Sequence, residues 1–179
     1  NCSLISRVYL GEIVCAKRNP LLAKYLPQII DELQVAGKQI IFSTPILHND
    51  EESHQLMLNN IELARQYQCP IEINDLAGLK HATGLEIIIG PYINTYNQAS
   101  LAVFARNGAQ RICPPFEVNR SVIADLAAFV LPLEVNILGR VALSISSRCF
   151  IAHNLNIERD NCKLACFKHS AGFNAGSEQ

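Results

Sequence analysis

Short apolar runs alternate along the chain with longer stretches whose apolar residues recur at helical spacing. Val8-Tyr9-Leu10, Gln39 to Ser43, Pro70 to Ile73, Leu85 to Ile89 and Gln110 to Cys113 have strand length and are separated by turn-forming residues. Between the first two, Leu22, Leu26, Ile29, Ile30 and Leu33 fall on one helical face. Pro20 stands near the start of that helix and Gly37 is its natural stop, while Pro27 predicts a kink or a split. Asn49, with Glu52 at the third helical position, forms a capping-box arrangement for a helix reaching about Gln66. Asn97 to Asn107 reads as a helix closed by Asn107-Gly108. Ser121 is expected to cap a helix in which Val122, Leu126, Phe129 and Val130 share a face. Leu133 to Leu138 is expected as a sixth strand, and Val141 to Ser146 as a hairpin partner or a final barrel strand.

Strand-helix alternation implies parallel strands covered by helices, and the expected fold class is α/β, a TIM-like (β/α) barrel. A complete barrel takes eight strands and roughly 250 residues. The 179 residues here are therefore expected to form one partial or truncated barrel domain spanning 1–179, with a Cys-rich segment at about 147–170. A doubly wound open sheet is the runner-up, although neither G-x-G-x-x-G nor G-x-x-x-x-G-K-[ST] occurs. The only methionine is Met57, and the chain ends in a soft run, Gly172 to Gln179, so a fragment of a longer protein is expected.

Composition narrows the classes. With 49% hydrophobic and 17% charged residues the chain is globular, not disordered. A formal net charge of -1 gives no basic surplus for nucleic acid. The apolar runs are too short to span a membrane, and the first residues lack the pattern of a signal peptide, so a cytoplasmic setting is expected.

That setting directs attention to the seven cysteines, an odd number that does not suit a disulfide framework. Cys149 follows the last strand-like segment, and Cys162 and Cys166 come later, four residues apart. A helix would put that pair on one face, and a loop could also aim them together. Asn161, Lys163, Lys168 and His169 give the pair a polar neighbourhood that a core cysteine does not need. Cys15 lies just past the first strand, and in a barrel the strand ends converge on one rim. Soft thiolates hold either iron–sulfur clusters or zinc, and spacing leaves both open, with His169 as a rival fourth ligand. The radical-SAM pattern C-x₃-C-x₂-C is a poor match, because His169 stands at its last place. Cys69 and Cys113 sit in apolar strand context and read as core, and Cys2 is terminal.

Several segments carry a resemblance. Gly11-Glu12-Ile13-Val14-Cys15-Ala16-Lys17-Arg18, Gly37 to Thr44, Asn94-x-Tyr96-Asn97, Arg111-x-Cys113-x-Pro115-x-Glu117, Leu143 to Phe150, and Asp160-Asn161-Cys162 with Cys166 occur in the order seen in UbiV-type proteins. The chain resembles that type within the collagenase-like peptidases of unknown catalytic type. The resemblance implies a role in oxygen-independent ubiquinone biosynthesis. It also implies a heterodimer with a homologous UbiU-type partner, ring hydroxylation of a ubiquinone precursor, and a [4Fe–4S] cluster on Cys15, Cys149, Cys162 and Cys166. A further implication is that a short N-terminal piece and a C-terminal part of family length are missing here.

Other residues are weaker candidates. Asn94, Tyr96 and Asn97 could line a substrate pocket or serve only as turn and cap. Lys17, Arg18 and Arg148 could balance the charge of a thiolate-bound cluster or be ordinary solvated cations. Glu12 and Glu134 are acid/base candidates without a partner visible in the sequence. The five histidines show no H-E-x-x-H, and Ser144, Ser146 and Ser147 form no G-x-S-x-G elbow. A peptidase, and a non-catalytic barrel with a structural Cys₄ zinc site, are the alternatives.

Overall fold

The computed structural model describes residues 3–142 and 144–169; Cys2, Leu143 and the Gly172 to Gln179 run lie outside them. The chain divides into two compact units, residues 1–142 and 143–179. In the first unit five parallel strands pair in chain order: β1 (Arg7–Leu10), β2 (Gln39–Ser43), β3 (Ile71–Ile73), β4 (Ile87–Ile89) and β5 (Ala109–Ile112). Helices α1 (Asn19–Val35), α2 (Glu51–Gln66), α3 (Gln98–Arg106) and α4 (Arg120–Ala127) complete it. A doubly wound sheet reverses its strand order at a switch point. Sequential pairing through right-handed crossovers keeps all helices on one face, which is the barrel pattern.

Curvature follows from one hydrogen bond. Beyond β5 a single parallel bridge joins Ile112 to Leu133. On a flat sheet β1 and this segment would lie roughly 24 Å apart, at about 4.8 Å per strand spacing. Tyr9 Oη nevertheless donates to Glu134 Oε2 at 2.9 Å. The two edges of the sheet therefore curl toward each other, as in a barrel.

The face toward the helices is apolar. Ile40, Phe42, Ile71, Ile73, Ile87, Ile89 and Ile112 pack with Ile30, Met57, Ile61, Leu101, Phe104 and Leu126 in one core. Each such side chain contributes about 1.5–3 kcal/mol when fully buried.

Several local expectations change. Asp50, not Asn49, caps α2: its side chain accepts from the Ser53 N–H at 2.8 Å, and Ser53 completes the box in place of Glu52. Asn119, two residues before Ser121, caps α4 by accepting from the Val122 N–H at 3.1 Å. In both places adjacent cap-competent residues compete, and the one whose oxygen reaches the N3 amide sets the boundary. α1 runs unsplit through Pro27. The sixth strand reduces to the Leu133 bridge, and the described residues of 141–146 are exposed and form no strand.

The second unit has α5 (Phe150–Asn154) and two short 3₁₀ turns, Arg159–Asn161 and Ala165–His169, the latter packed against α5. No helix among the described residues is long and apolar enough to cross a membrane.

Candidate functional site

Two of the three thiols of the second unit sit at the ends of its short helical elements and the third lies inside one. Cys149 caps α5, its Sγ accepting from the Ala152 N–H at 3.5 Å. Cys162 closes the Arg159–Asn161 turn, and its carbonyl accepts from the Ala165 N–H at 2.9 Å. Cys166 lies within Ala165–His169. Lys163 (φ 44°) and Leu164 (φ 54°) are both left-handed, so the stretch between Cys162 and Cys166 is a tight loop and not one helix. Non-glycine residues in that region cost on the order of 1–3 kcal/mol each, and such strain clusters at ligand clamps. All three thiols are free and partly exposed.

Cys15, also free, belongs to the first unit. Its loop is organised by Glu12, whose Oε1 accepts from the N–H groups of Val14 (2.9 Å) and Cys15 (3.0 Å) and from Arg18 Nη2 (2.6 Å). Glu12 is therefore a loop fastener, and Arg18 is its ion-pair partner. Gly11 precedes the loop because a Cβ there would lie 2.5 Å from the Ser43 carbonyl oxygen. Arg148 is exposed, its N–H donating to Ser146 Oγ at 3.1 Å. Soft, uncrosslinked thiols are the donor set that iron–sulfur clusters and zinc require. Among the described residues no three His, Cys, Asp or Glu side chains are gathered around one metal position.

The Asn94 to Asn97 segment does local work. Asn97 caps α3 by accepting from the Ser100 N–H at 2.9 Å. Tyr96 donates its hydroxyl to Glu117, and Asn94 is exposed.

A second constellation lies on the inward face of the sheet, where register puts Tyr9, Ile41, Ser43, Glu72, Ile88 and Arg111. Ser43 Oγ (2.6 Å) and Asn74 Nδ2 (3.1 Å) both donate to Glu72 Oε2. Glu134 Oε2 accepts from Tyr9 and lies 3.6 Å from Arg111 Nη1, while Arg111 Nη2 is 3.9 Å from Glu86 Oε1. Burial, then Glu134, raises the Glu72 carboxyl, against the opposing hydrogen bonds from Ser43 and Asn74. Burial first, then the two carboxylates, pushes the Cys113 thiol up to about 12 and raises the Tyr9 phenol. Gly90 makes room for this arrangement: a Cβ there would fall 1.9 Å from Asn74 Oδ1.

Sequence reading singled out Glu134 but missed Glu72, Tyr9 and Arg111 as a group. For Glu72 the signal was available, since it interrupts the apolar content between Ile71 and Ile73, whereas Tyr9 reads as part of an apolar run and Arg111 stands beside a second polar residue, Gln110. Elsewhere, His48, His54 and His81 stack edge to face, with His48 Nδ1 3.2 Å from Asp75 Oδ2. A cavity of about 320 Å³ lined by Leu10, Leu22, Leu26, Phe42 and Leu63 lies over the helix side of β1 and β2.

The family model for peptidase family U32 matches residues 3–177. No solved structure matches the chain.

Proposed function

The chain belongs to peptidase family U32, and from that membership we propose that it is a UbiV-type iron–sulfur subunit of oxygen-independent ubiquinone biosynthesis. In this reading it works in the cytoplasm with a homologous UbiU-type partner in ring hydroxylation of a ubiquinone precursor. The observation that carries the reading is the set of free, partly exposed thiols on short helical turns, Cys149, Cys162 and Cys166, in segments that resemble the UbiV type. With Cys15 they would supply, as the resemblance implies, the four thiolates of a [4Fe–4S] cluster, and that cluster when bound would transfer electrons.

The chain's own residues have separable tasks in this scheme. Glu12 fixes the Cys15 loop through its two backbone amides and Arg18. Lys17, Arg18 and Arg148 stand near the cysteines in sequence and would balance the charge of a thiolate-bound cluster. Asn94, Tyr96 and Asn97 are assigned to substrate contact, with Tyr96 presenting a partly exposed ring.

The test is the iron, sulfide and zinc content of anaerobically purified protein. About four irons and four sulfides per chain are expected, and Cys149→Ser or Cys162→Ser should lose them while retaining the fold. Zinc without sulfide, even after reconstitution, would overturn the cluster and leave a structural zinc site. The family's description favours a second reading, peptide hydrolysis, which cleavage of a peptide by the metal-free protein would support.

A further inference from the structure

Helix α1 carries an apolar face that the core does not fully use. Of its residues only Ile30 is buried. Leu22 and Leu26, in its first half, line the cavity of about 320 Å³, and Leu10 of β1, Phe42 of β2 and Leu63 of α2 supply the rest of the apolar wall. That volume is about twice the roughly 150 Å³ that admits benzene. It also falls within the range of small-molecule pockets, about 300–1,000 Å³.

The polar groups on the wall are few, and most lie at its rim. Asn59, Glu62 and Gln66 are exposed. Asn59 Oδ1 accepts from Gln55 Nε2 at 2.9 Å, and Glu62 Oε2 lies 3.9 Å from Arg65 Nε. Asn60 is different. It is 4% exposed and stands inside α2, where asparagine is a poor helix former. Its Nδ2 donates to the Ser43 carbonyl at 2.8 Å. Reversing the amide would set Oδ1 against that carbonyl, so the orientation is fixed. Oδ1 then receives no hydrogen bond from any described residue. Nor is it sealed in, since the enclosed orphan atoms among the described residues are those of Arg18, His48, Asn74 and Arg111. The side chain is more than nine-tenths buried, and its free acceptor opens onto the cavity that Asn60 lines.

The wall selects the occupant. An ordered water needs two to four polar partners, and the apolar interior offers one. Among the described residues lining the cavity there is no lysine, arginine, histidine or cysteine, and the one carboxylate, Glu62, is exposed beside Arg65. Neither an anion nor a cation finds a buried counter-charge there. A neutral apolar molecule with one O–H or N–H group meets both demands of the site. It removes the leucine and phenylalanine wall from water, and it gives Oδ1 a donor.

We propose that the cavity between α1 and α2 binds a small neutral apolar molecule whose single hydrogen-bond donor meets Asn60 Oδ1. This site goes beyond the iron–sulfur reading and does not rest on it.

The experiment is an NMR titration of the full chain carrying ¹³C-methyl leucine and ¹⁵N side-chain amides. The probes form two pairs: indole against 1-methylindole, and 1-octanol against 1-methoxyheptane. Each pair keeps its ring or chain and differs in the donor. Saturable shifts of the Leu22, Leu26 and Leu63 methyls and of the Asn60 amide are expected with indole or octanol, and the tighter of the two shows whether the body is a ring or a chain. The partner without a donor should bind about tenfold more weakly, the loss of one hydrogen bond. Leu22→Trp, at a half-buried position, should fill the space and abolish saturation, while the Leu101 and Leu126 methyls of the core keep their shifts. Linear shifts with every probe, equal affinity within both pairs, or undiminished binding by Leu22→Trp would overturn the proposal. The paired wild-type titrations decide the matter even if Leu22→Trp fails to fold. A failed iron assay leaves this result untouched, because no residue lining the cavity is a proposed cluster ligand.

Discussion

The two faces of the sheet are built from the same strands and obey different rules. Toward the helices, Ile71, Ile73, Ile87, Ile89 and Ile112 are buried in one apolar core. On the other face, one residue along, Glu72 and Arg111 share an interior with Tyr9 and Glu134. The first face is held by area removed from water, which is additive and tolerant of shape. The second is held by a few directional contacts, in which a small displacement leaves a buried polar group unpaired. The apolar face therefore accounts for stability, while the polar face is the one with chemistry to spare.

That contrast can be broken at a defined place on each side. Ile89→Ala removes a fully buried side chain from the apolar face and should cost about 2–5 kcal/mol, read as a lower urea midpoint with an unchanged slope. An effect under about 1 kcal/mol would mean that the core collapses around the gap. Gly90→Ala attacks the polar face, since the new Cβ would fall 1.9 Å from Asn74 Oδ1 and 2.8 Å from Asn74 Cγ. It should cost about 1–3 kcal/mol. Adding Asn74→Ala should recover part of that loss, and strict additivity in the double-mutant cycle would count against the packing argument.

The smallest effect sharpens the comparison through pH. The folded Glu72 carboxyl is raised above its ordinary value, chiefly by burial. In the unfolded chain it ionises near pH 4.3, as a free glutamate does. Its contribution to stability is thus fully present below that pH and is lost as pH rises through the folded value, because the folded state holds the proton longer. Glu72→Gln cannot ionise and should flatten the stability profile over that window, measured by denaturant unfolding at a series of pH values. An unchanged slope would show that Glu72 ionises as readily folded as unfolded.

Much of the scaffold was legible from pattern alone. The five strands stand within a residue or two of their apolar runs, because a parallel strand covered by helices must be rich in Ile and Val. Helix starts were less legible. Asn49 and Asp50, and Asn119 and Ser121, compete as caps, and only the amide each oxygen reaches decides between them. Glu12 shows how position can mislead about role: a carboxylate just past a strand suggests acid/base chemistry, yet it is spent on two amides and an arginine.

By itself the sequence determined the strand-helix alternation, the apolar face and the cysteines available as soft ligands, because these depend on periodicity and residue type along a local stretch. Tertiary structure alone decided that Tyr9 meets Glu134 across 125 positions of chain, and that Ser43, Glu72 and Asn74 form one hydrogen-bonded group. Those contacts arise from the curl of the sheet, which brings distant strand edges together. No local pattern encodes that distance, because it is the sum of the twist and register of every strand between them.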